Sequence, residues 1–299
     1  MPHRGGFTTD RAESLEPTQT TATCGILVSL MIVCCPSATI AIWSSAWLHG
    51  FAASDDVLDA LELWGESHEF VAGDARSAQV FELPPAGQTP ATPAEVLGKL
   101  RTNKISTANL VLPVPGDVRG LAANTALSEA ALATGEAVIL SDERKNPRHG
   151  LVPRKIATGL LRWTVYTPET PIYVDHVGFK DAERSLNTAL NESAESLAAL
   201  NVAKERPEIR AELASQLRGL PNLNWPSGTP GPALRLLQRV NEIAAILMLA
   251  NGDEPGGAVS ASAAQLRSET LRTLDAAVRT ARRAAVNEAI RVLTESETV

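Results

Sequence analysis

Residues 160–200 read LLRWTVYTPETPIYVDHVGFKDAERSLNTALNESAESLAAL, and the rhythm of apolar residues changes inside this stretch. From Leu160 to Tyr166 the side chains alternate, as in a strand with two unlike faces. Trp163 and Tyr166 fall on opposite sides of it, which suits a core rather than a platform for stacking bases. Beyond Pro171 the period becomes about 3.6 residues. Phe179, Ala182, Leu186, Ala189, Ser193, Leu197 and Leu200 recur at spacings of three and four, a single seam along a helix that ends near Lys204. The chain therefore divides near position 170.

Upstream of that point, short apolar runs predict strands at Glu69 to Ala72, Gln79 to Leu83, Ala108 to Pro113, Ala137 to Leu140 and Leu160 to Tyr166, with a further one at Gly150 to Arg154. Two helices lie among them. Thr92 caps the first, Pro93 opens it, and Val96, Leu97 and Leu100 form its stripe. Leu121 to Ala133 makes the second, which Gly135 stops. The predicted order, β-β-α-β-α-β-β-β, fits one mixed sheet with helices packed on it.

Downstream, strand signals vanish. Pro207 begins a helix through Ile209, Leu213 and Leu217 that Gly219 and Pro221 end, and Leu223 to Pro232 reads as a turn-rich link. Ala233 to Ala250 contains the uninterrupted run Ile243 to Ala250, a helix covered on nearly all sides by its bundle or by a partner. Ser260 or Ser262 caps the last helix, whose seam is Leu271, Leu274, Val278, Ala281, Ala285 and Ile290. The expected fold is α+β: a mixed sheet with helices over 37–170, then an all-α bundle over 171–299, after a leader spanning 1–36.

The leader needs separate treatment. No Asp, Glu, Lys or Arg occurs between Glu16 and Asp55, and Cys24 to Ile42 is apolar enough for a membrane anchor by length and hydropathy. Asp10, Glu13 and Glu16 argue against a signal peptide. Two other readings stand beside the anchor. In one, Pro36 divides the run and a helix from Ser37 to Trp64 places Ile42, Ala46, Val57, Leu58 and Leu61 toward a core. In the other, translation starts at Met31 and the preceding residues are disordered or mis-annotated. A soluble, cytoplasmic protein is the working expectation, and membrane attachment its alternative.

The net charge of −7 across 299 residues argues against non-specific nucleic-acid binding. No cysteine follows Pro36, so no thiol nucleophile or thiolate metal site belongs to the body of the chain. His3, His49, His68, His149 and His176 have no ligand spacing, Asp55, Asp59 and Glu62 suit an ordinary amphipathic helix, and neither a metal nor a cofactor is expected. The final helix interleaves Arg267, Arg272, Arg279, Arg282, Arg283 and Arg291 with acidic residues, the pattern of a solvated, ion-paired face.

Two stretches look site-like. Leu110 to Leu121, LVLPVPGDVRGL, runs a buried strand into a Pro/Gly loop with Asp117 and Arg119. Ligands of α/β sheets bind in such places, although the P-loop and dinucleotide patterns are both missing and a tight turn fixed by an Asp–Arg pair explains the residues more simply. Ser141 to Lys155 gathers Arg144, Lys145, Arg148, His149, Arg154 and Lys155, a possible anion cradle and more simply a solvated hairpin tip. Asp117, Arg119, Arg148 and His149 are the candidate ligand-binding residues; no catalytic set is assigned.

Several segments together carry a resemblance. Ala46-Trp47-Leu48, Asp55-Asp56-Val57-Leu58-Asp59-Ala60, Leu110 to Leu121, Gly150-Leu151-Val152-Pro153, Trp163-Thr164-Val165-Tyr166, Glu205 to Leu213, Gly228-Thr229-Pro230, Ala233-Leu234-Arg235-Leu236-Leu237 and Pro255-Gly256-Gly257-Ala258 are similar to those of a family of uncharacterised proteins from high-GC actinobacteria. The likeness spans Ser37 to Val292 and implies no activity. Two expectations follow from the sequence as a whole. The preferred one is a soluble, non-enzymatic interaction protein whose helical half docks a protein partner or a second copy of itself. The other is a small-molecule enzyme or anionic-ligand-binding protein built on the 112–121 loop.

Overall fold

The computed structural model describes residues 35–118, 121–199, 209–218, 224–252 and 261–295. Cys24 to Cys34, Arg119, Lys204, Pro207, Gly219, Pro221 and Ser260 lie outside them. The described elements are α1 (Pro36–Leu48), α2 (Ser54–Glu62), β1 (Ser67–Ala72), α3 (Ala75–Phe81), α4 (Pro93–Thr102), β2 (Ile105–Val111) and α5 (Ala126–Thr134), followed by β3 (Ala137–Asp142), β4 (Pro147–Ala157), β5 (Leu160–Tyr166), α6 (Phe179–Ala199), α7 (Ile209–Arg218), α8 (Gly231–Gly252) and α9 (Ala261–Glu295). A mixed sheet with helices occupies the first half and helices alone the second.

The sheet order is β1-β5-β4-β3-β2; β1 and β5 run parallel, and every other pair is antiparallel. Alternation in each strand sends its side chains to two unlike cores. Leu110, Val138, Leu140, Leu151, Leu161, Trp163 and Val165 face the larger one, which continues through α1 into α6, α8 and α9. Val111, Ile139 and Val152 face a smaller one with Leu127, Ala131 and Ile172. Both halves of the chain thus share the larger core.

Helix α1 is central to it. Every residue from Pro36 to Trp47 is buried, Ser37, Thr39, Ser44 and Ser45 included, so this helix is covered on all sides rather than amphipathic. Burying a side chain such as Ile42 contributes about 1.5–3 kcal/mol. Its N-terminus is met by a buried carboxylate from the start of β3: Glu136 Oε2 accepts the Ser37 amide at 2.9 Å. That contact does the work of an N-cap and places negative charge at the positive end of the helix dipole. Burial outweighs these bonds and pushes the Glu136 carboxyl up from its ordinary range. Among the described residues no helix is long and apolar enough to cross a membrane.

Three sequence expectations need correction. The helix expected over Ser37 to Trp64 is two, because Gly50 adopts φ +82 and turns the chain between α1 and α2. The strand expected over Gln79 to Leu83 is helix α3 running into a loop. Its capping box is reciprocal, with Asp74 Oδ1 accepting the Ser77 amide at 2.6 Å and Ser77 Oγ accepting the Asp74 amide at 3.2 Å. The helix ends where Glu82 adopts φ 48. Phe81 and Leu83 are both buried, one from the helix and one from the loop, which imitates strand alternation. The helix expected from Leu121 begins only at Ala126, capped by Thr125, and ends at Gly135 as expected.

Both sheet edges are covered. On β1, Phe70 and Ala91 exchange backbone hydrogen bonds of 2.9 and 3.0 Å, and the Ala72 amide reaches Pro84 O at 2.9 Å. On β2 the cover is α9, 35 residues and about 50 Å long. Asn287 Oδ1 accepts the Leu110 amide at 2.8 Å, and Arg279 Nη1 donates to Leu112 O at 2.9 Å. An exposed edge strand invites pairing with another chain, and here a helix from the other half of the sequence occupies that position.

Candidate functional site

Among the described residues of the 112–121 loop, Val114 to Asp117 form a tight turn. Val114 and Asp117 exchange backbone hydrogen bonds of 3.0 and 2.8 Å across Pro115 and Gly116, whose φ of +86 is the left-handed value a Pro-Gly turn requires. The carboxylate of Asp117 is held by Arg279, Nη2 to Oδ2 at 2.8 Å. Arg279, Arg282 and Arg283 of α9 are buried, which corrects their reading as part of a solvated face. Arg283 reaches Asp175 at 3.0 Å and Arg282 reaches Asn241 at 3.3 Å. Arg291 does lie at the surface, paired with Glu288 and Glu295. Arg279 and Arg283 satisfy backbone and carboxylate groups that precede α6 in the chain, and Arg282 meets a side-chain amide of α8, as buried charges require.

Arg148 stands at the β3–β4 hairpin tip. Its Nε contacts Asp142 Oδ2 at 3.0 Å, and Asp142 Oδ1 also accepts the Arg144 and Asn146 amides at 2.9 Å. These hydrogen bonds, that of the Asn146 amide foremost, hold the Asp142 carboxyl down to about 2. His149, the next residue, points to the opposite face. It is buried, edge-on to Phe81 with ring centroids 4.7 Å apart, and its Nδ1 lies 2.9 Å from Thr167 Oγ1. Burial above all, then the Arg148 and Arg76 charges, holds His149 down to about 4. Asp117, Arg148 and His149 therefore serve three separate local structures. Among the described residues no cluster of three His, Cys, Asp or Glu side chains could hold a metal ion.

His149 does lead to a place that sequence reasoning missed. Thr167, its partner, follows the last residue of β5, and the Thr167 amide donates to Asp74 Oδ2 at 2.8 Å. Asp74 lies two positions past the end of β1. The two parallel strands thus end side by side, tied by Asp74 and Thr167. The chain leaving β1 enters α3, whose Phe81 joins the larger core; the chain leaving β5 passes to the other side, where Ile172 joins the smaller one. Adjacent parallel strands whose exits diverge to opposite faces leave a crevice at their carboxyl ends, the place where open α/β sheets bind ligands.

That crevice has a volume of about 710 Å³ and is lined by Arg76 and Gln79 of α3, Thr125 and Leu127 at the start of α5, and Tyr166 and Glu169 at and beyond the end of β5. Two glycines make room for its walls. A Cβ at Gly73 would lie 2.4 Å from the Tyr166 ring, and one at Gly150 would lie 2.3 Å from Leu127 Cδ1. Burial pushes the Tyr166 phenol above its ordinary value. Both carboxylate oxygens of Asp74 are engaged in backbone hydrogen bonds and His149 is buried, so neither is placed as a free acid or base. The sequence signals were Asp74 two positions beyond β1 and Thr167 directly beyond β5; their adjacency comes from the parallel pairing.

Models of the Rv1486c-like protein match the chain in two parts, the N-terminal domain over residues 37–176 and the C-terminal domain over residues 180–296. The chain belongs to the Rv1486c-like family. Among its relatives, Uncharacterized protein Rv1486c of Mycobacterium tuberculosis is 38% identical over 282 residues, covering 84% of this chain and 96% of the relative. Uncharacterized protein ML1804 of Mycobacterium leprae is 34% identical over 288 residues, with 85% and 96% covered. These mycobacterial names state no activity, in keeping with the actinobacterial resemblance noted from the sequence. No solved structure matches the chain. In this Rv1486c-like chain the gap between the two family models, residues 177–179, falls where the connection from β5 enters α6.

Proposed function

We propose that the protein acts in the cytoplasm as a non-enzymatic interaction protein, its helical half docking a protein partner or a second copy of itself. The observation that carries this reading is the pair Ile246 and Leu266, 50% and 47% exposed on α8 and α9. The two helices are tied near their junction by Arg267, which donates to Ala250 O at 2.7 Å. Ile246 is one turn before that contact and Leu266 is adjacent to it. Single exposed apolar residues are ordinary, but these flank the same junction and Ile246 belongs to the apolar run Ile243 to Ala250. The reading built on the 112–121 loop has less support, since Asp117 is bound by Arg279 and lies apart from Arg148 and His149. The net charge of −7 favours a protein partner over nucleic acid.

Size-exclusion chromatography with light scattering, together with a pull-down by the full chain, tests the proposal. The expected result is a dimer or a recovered partner, lost in Ile246→Glu and Leu266→Glu, whose exposed positions leave folding intact. A strict monomer that recovers no protein would overturn it.

A further inference from the structure

Beyond that docking role, we infer that the crevice at the carboxyl ends of β1 and β5 binds a small zwitterion, an α-amino acid or short peptide, through Arg76 and Glu169. The volume of about 710 Å³ falls within the range of small-molecule sites. Its position follows from topology, at the end of the parallel pair and between diverging exits. Its frame is held before any ligand arrives: Asp74 holds the amides of Ser77 and Thr167, and Thr167 in turn meets His149. Such preorganisation lowers the entropy lost on binding.

The chemistry of the ligand follows from the groups left over. Arg76 and Glu169 both line the crevice, and neither forms an ion pair among the described residues. Arg76 belongs to α3 and Glu169 to the chain leaving β5, so the two charges come to the crevice from different segments. A simple anion would meet Glu169, and a simple cation would meet Arg76. A molecule carrying both charges satisfies each, with its carboxylate on the guanidinium and its ammonium on the carboxylate. The Tyr166 hydroxyl has no hydrogen-bond partner among the described residues, and its ring with Leu127 offers an apolar wall for a side chain.

The test titrates the full chain by calorimetry with each standard L-amino acid and with unblocked dipeptides. At least one binds saturably, and its N-acetylated and C-amidated forms each bind roughly tenfold more weakly, the loss of one charge-assisted contact. In Arg76→Ala the free and amidated forms bind alike, in Glu169→Gln the free and acetylated forms bind alike, and Arg148→Ala, outside the crevice, binds as the parent does. The inference is overturned if no probe binds, if blocked forms bind as well as free ones, or if Arg76→Ala leaves the preference for a free carboxylate intact. The oligomeric state of these variants is unchanged, so the result is independent of the docking proposal.

Discussion

Asn287 Oδ1, on the last helix, accepts the amide of Leu110, on the edge strand of the sheet, at 2.8 Å across 177 positions of sequence. With Arg279, two turns earlier on the same helix, it puts α9 beside β2, where a sixth strand of the five-stranded sheet would lie. The helical half is thereby a structural part of the sheet half.

Replacing Asn287 with Leu leaves the Leu110 amide without its acceptor. The expected loss is about 1–3 kcal/mol in urea unfolding, whereas Asn287→Asp, which keeps an acceptor, stays closer to the parent. Equal losses in both variants would show that the hydrogen bond is not what matters there.

The Arg279–Asp117 pair is more costly to break on one side than on both. Arg279→Met removes the donor from Leu112 O and the buried guanidinium from Asp117, with an expected loss of about 3–5 kcal/mol. In a double-mutant cycle with Asp117→Asn the second substitution recovers part of that loss; additive losses would contradict the pairing.

Two buried groups give opposite pH dependences. His149 falls from 6.5 in the unfolded chain to about 4 in the fold, so the unfolded chain binds more protons between those values. Stability is therefore full above 6.5 and is lost as pH falls toward 4, by about 3 kcal/mol at most. Denaturant melts of His149→Gln across this window should show the dependence reduced. Glu136 is raised above 4.5, so its contribution is present below 4.5 and lost as pH rises through the folded value. Glu136→Gln keeps an oxygen for the Ser37 amide, and its stability relative to the parent should improve as pH rises; a constant difference would remove Glu136 as the titrating group.

Gly150→Ala drives a Cβ into Leu127 and is expected to lose about 1–3 kcal/mol. Leu127→Ala should relieve most of that penalty when combined with it, as thermal melts of the four proteins would show. No relief would mean that α5 does not approach the sheet as closely as the structure has it.

The sequence made much of this architecture legible, because hydrophobic period is a local property. The seam of α6, the cap of α4 by Thr92 and the end of α5 at Gly135 were all readable from neighbours. Local periodicity failed at Gln79 to Leu83, where two buried residues on either side of a helix end mimic a strand; the Asp74–Ser77 capping box was the better signal. The site was less legible because its partners are distant. The Asp117–Arg119 pair read within the loop involves a residue outside the described ones, while the contact from Arg279, 162 positions away, has no local signal at all. Arginines that interleave with acids looked solvated, and only the fold reveals that Arg279, Arg282 and Arg283 face inward. His149 was found as one of a cationic cluster, but its place beside Thr167 depends on β4 pairing with β5.

Hydrogen exchange at the Leu110 amide tests most directly whether α9 completes the sheet. The account predicts protection comparable to Ile139 on the interior strand β3, with Leu110 losing that protection selectively in Asn287→Leu. Exchange of Leu110 in the parent protein as fast as an exposed edge amide would contradict it.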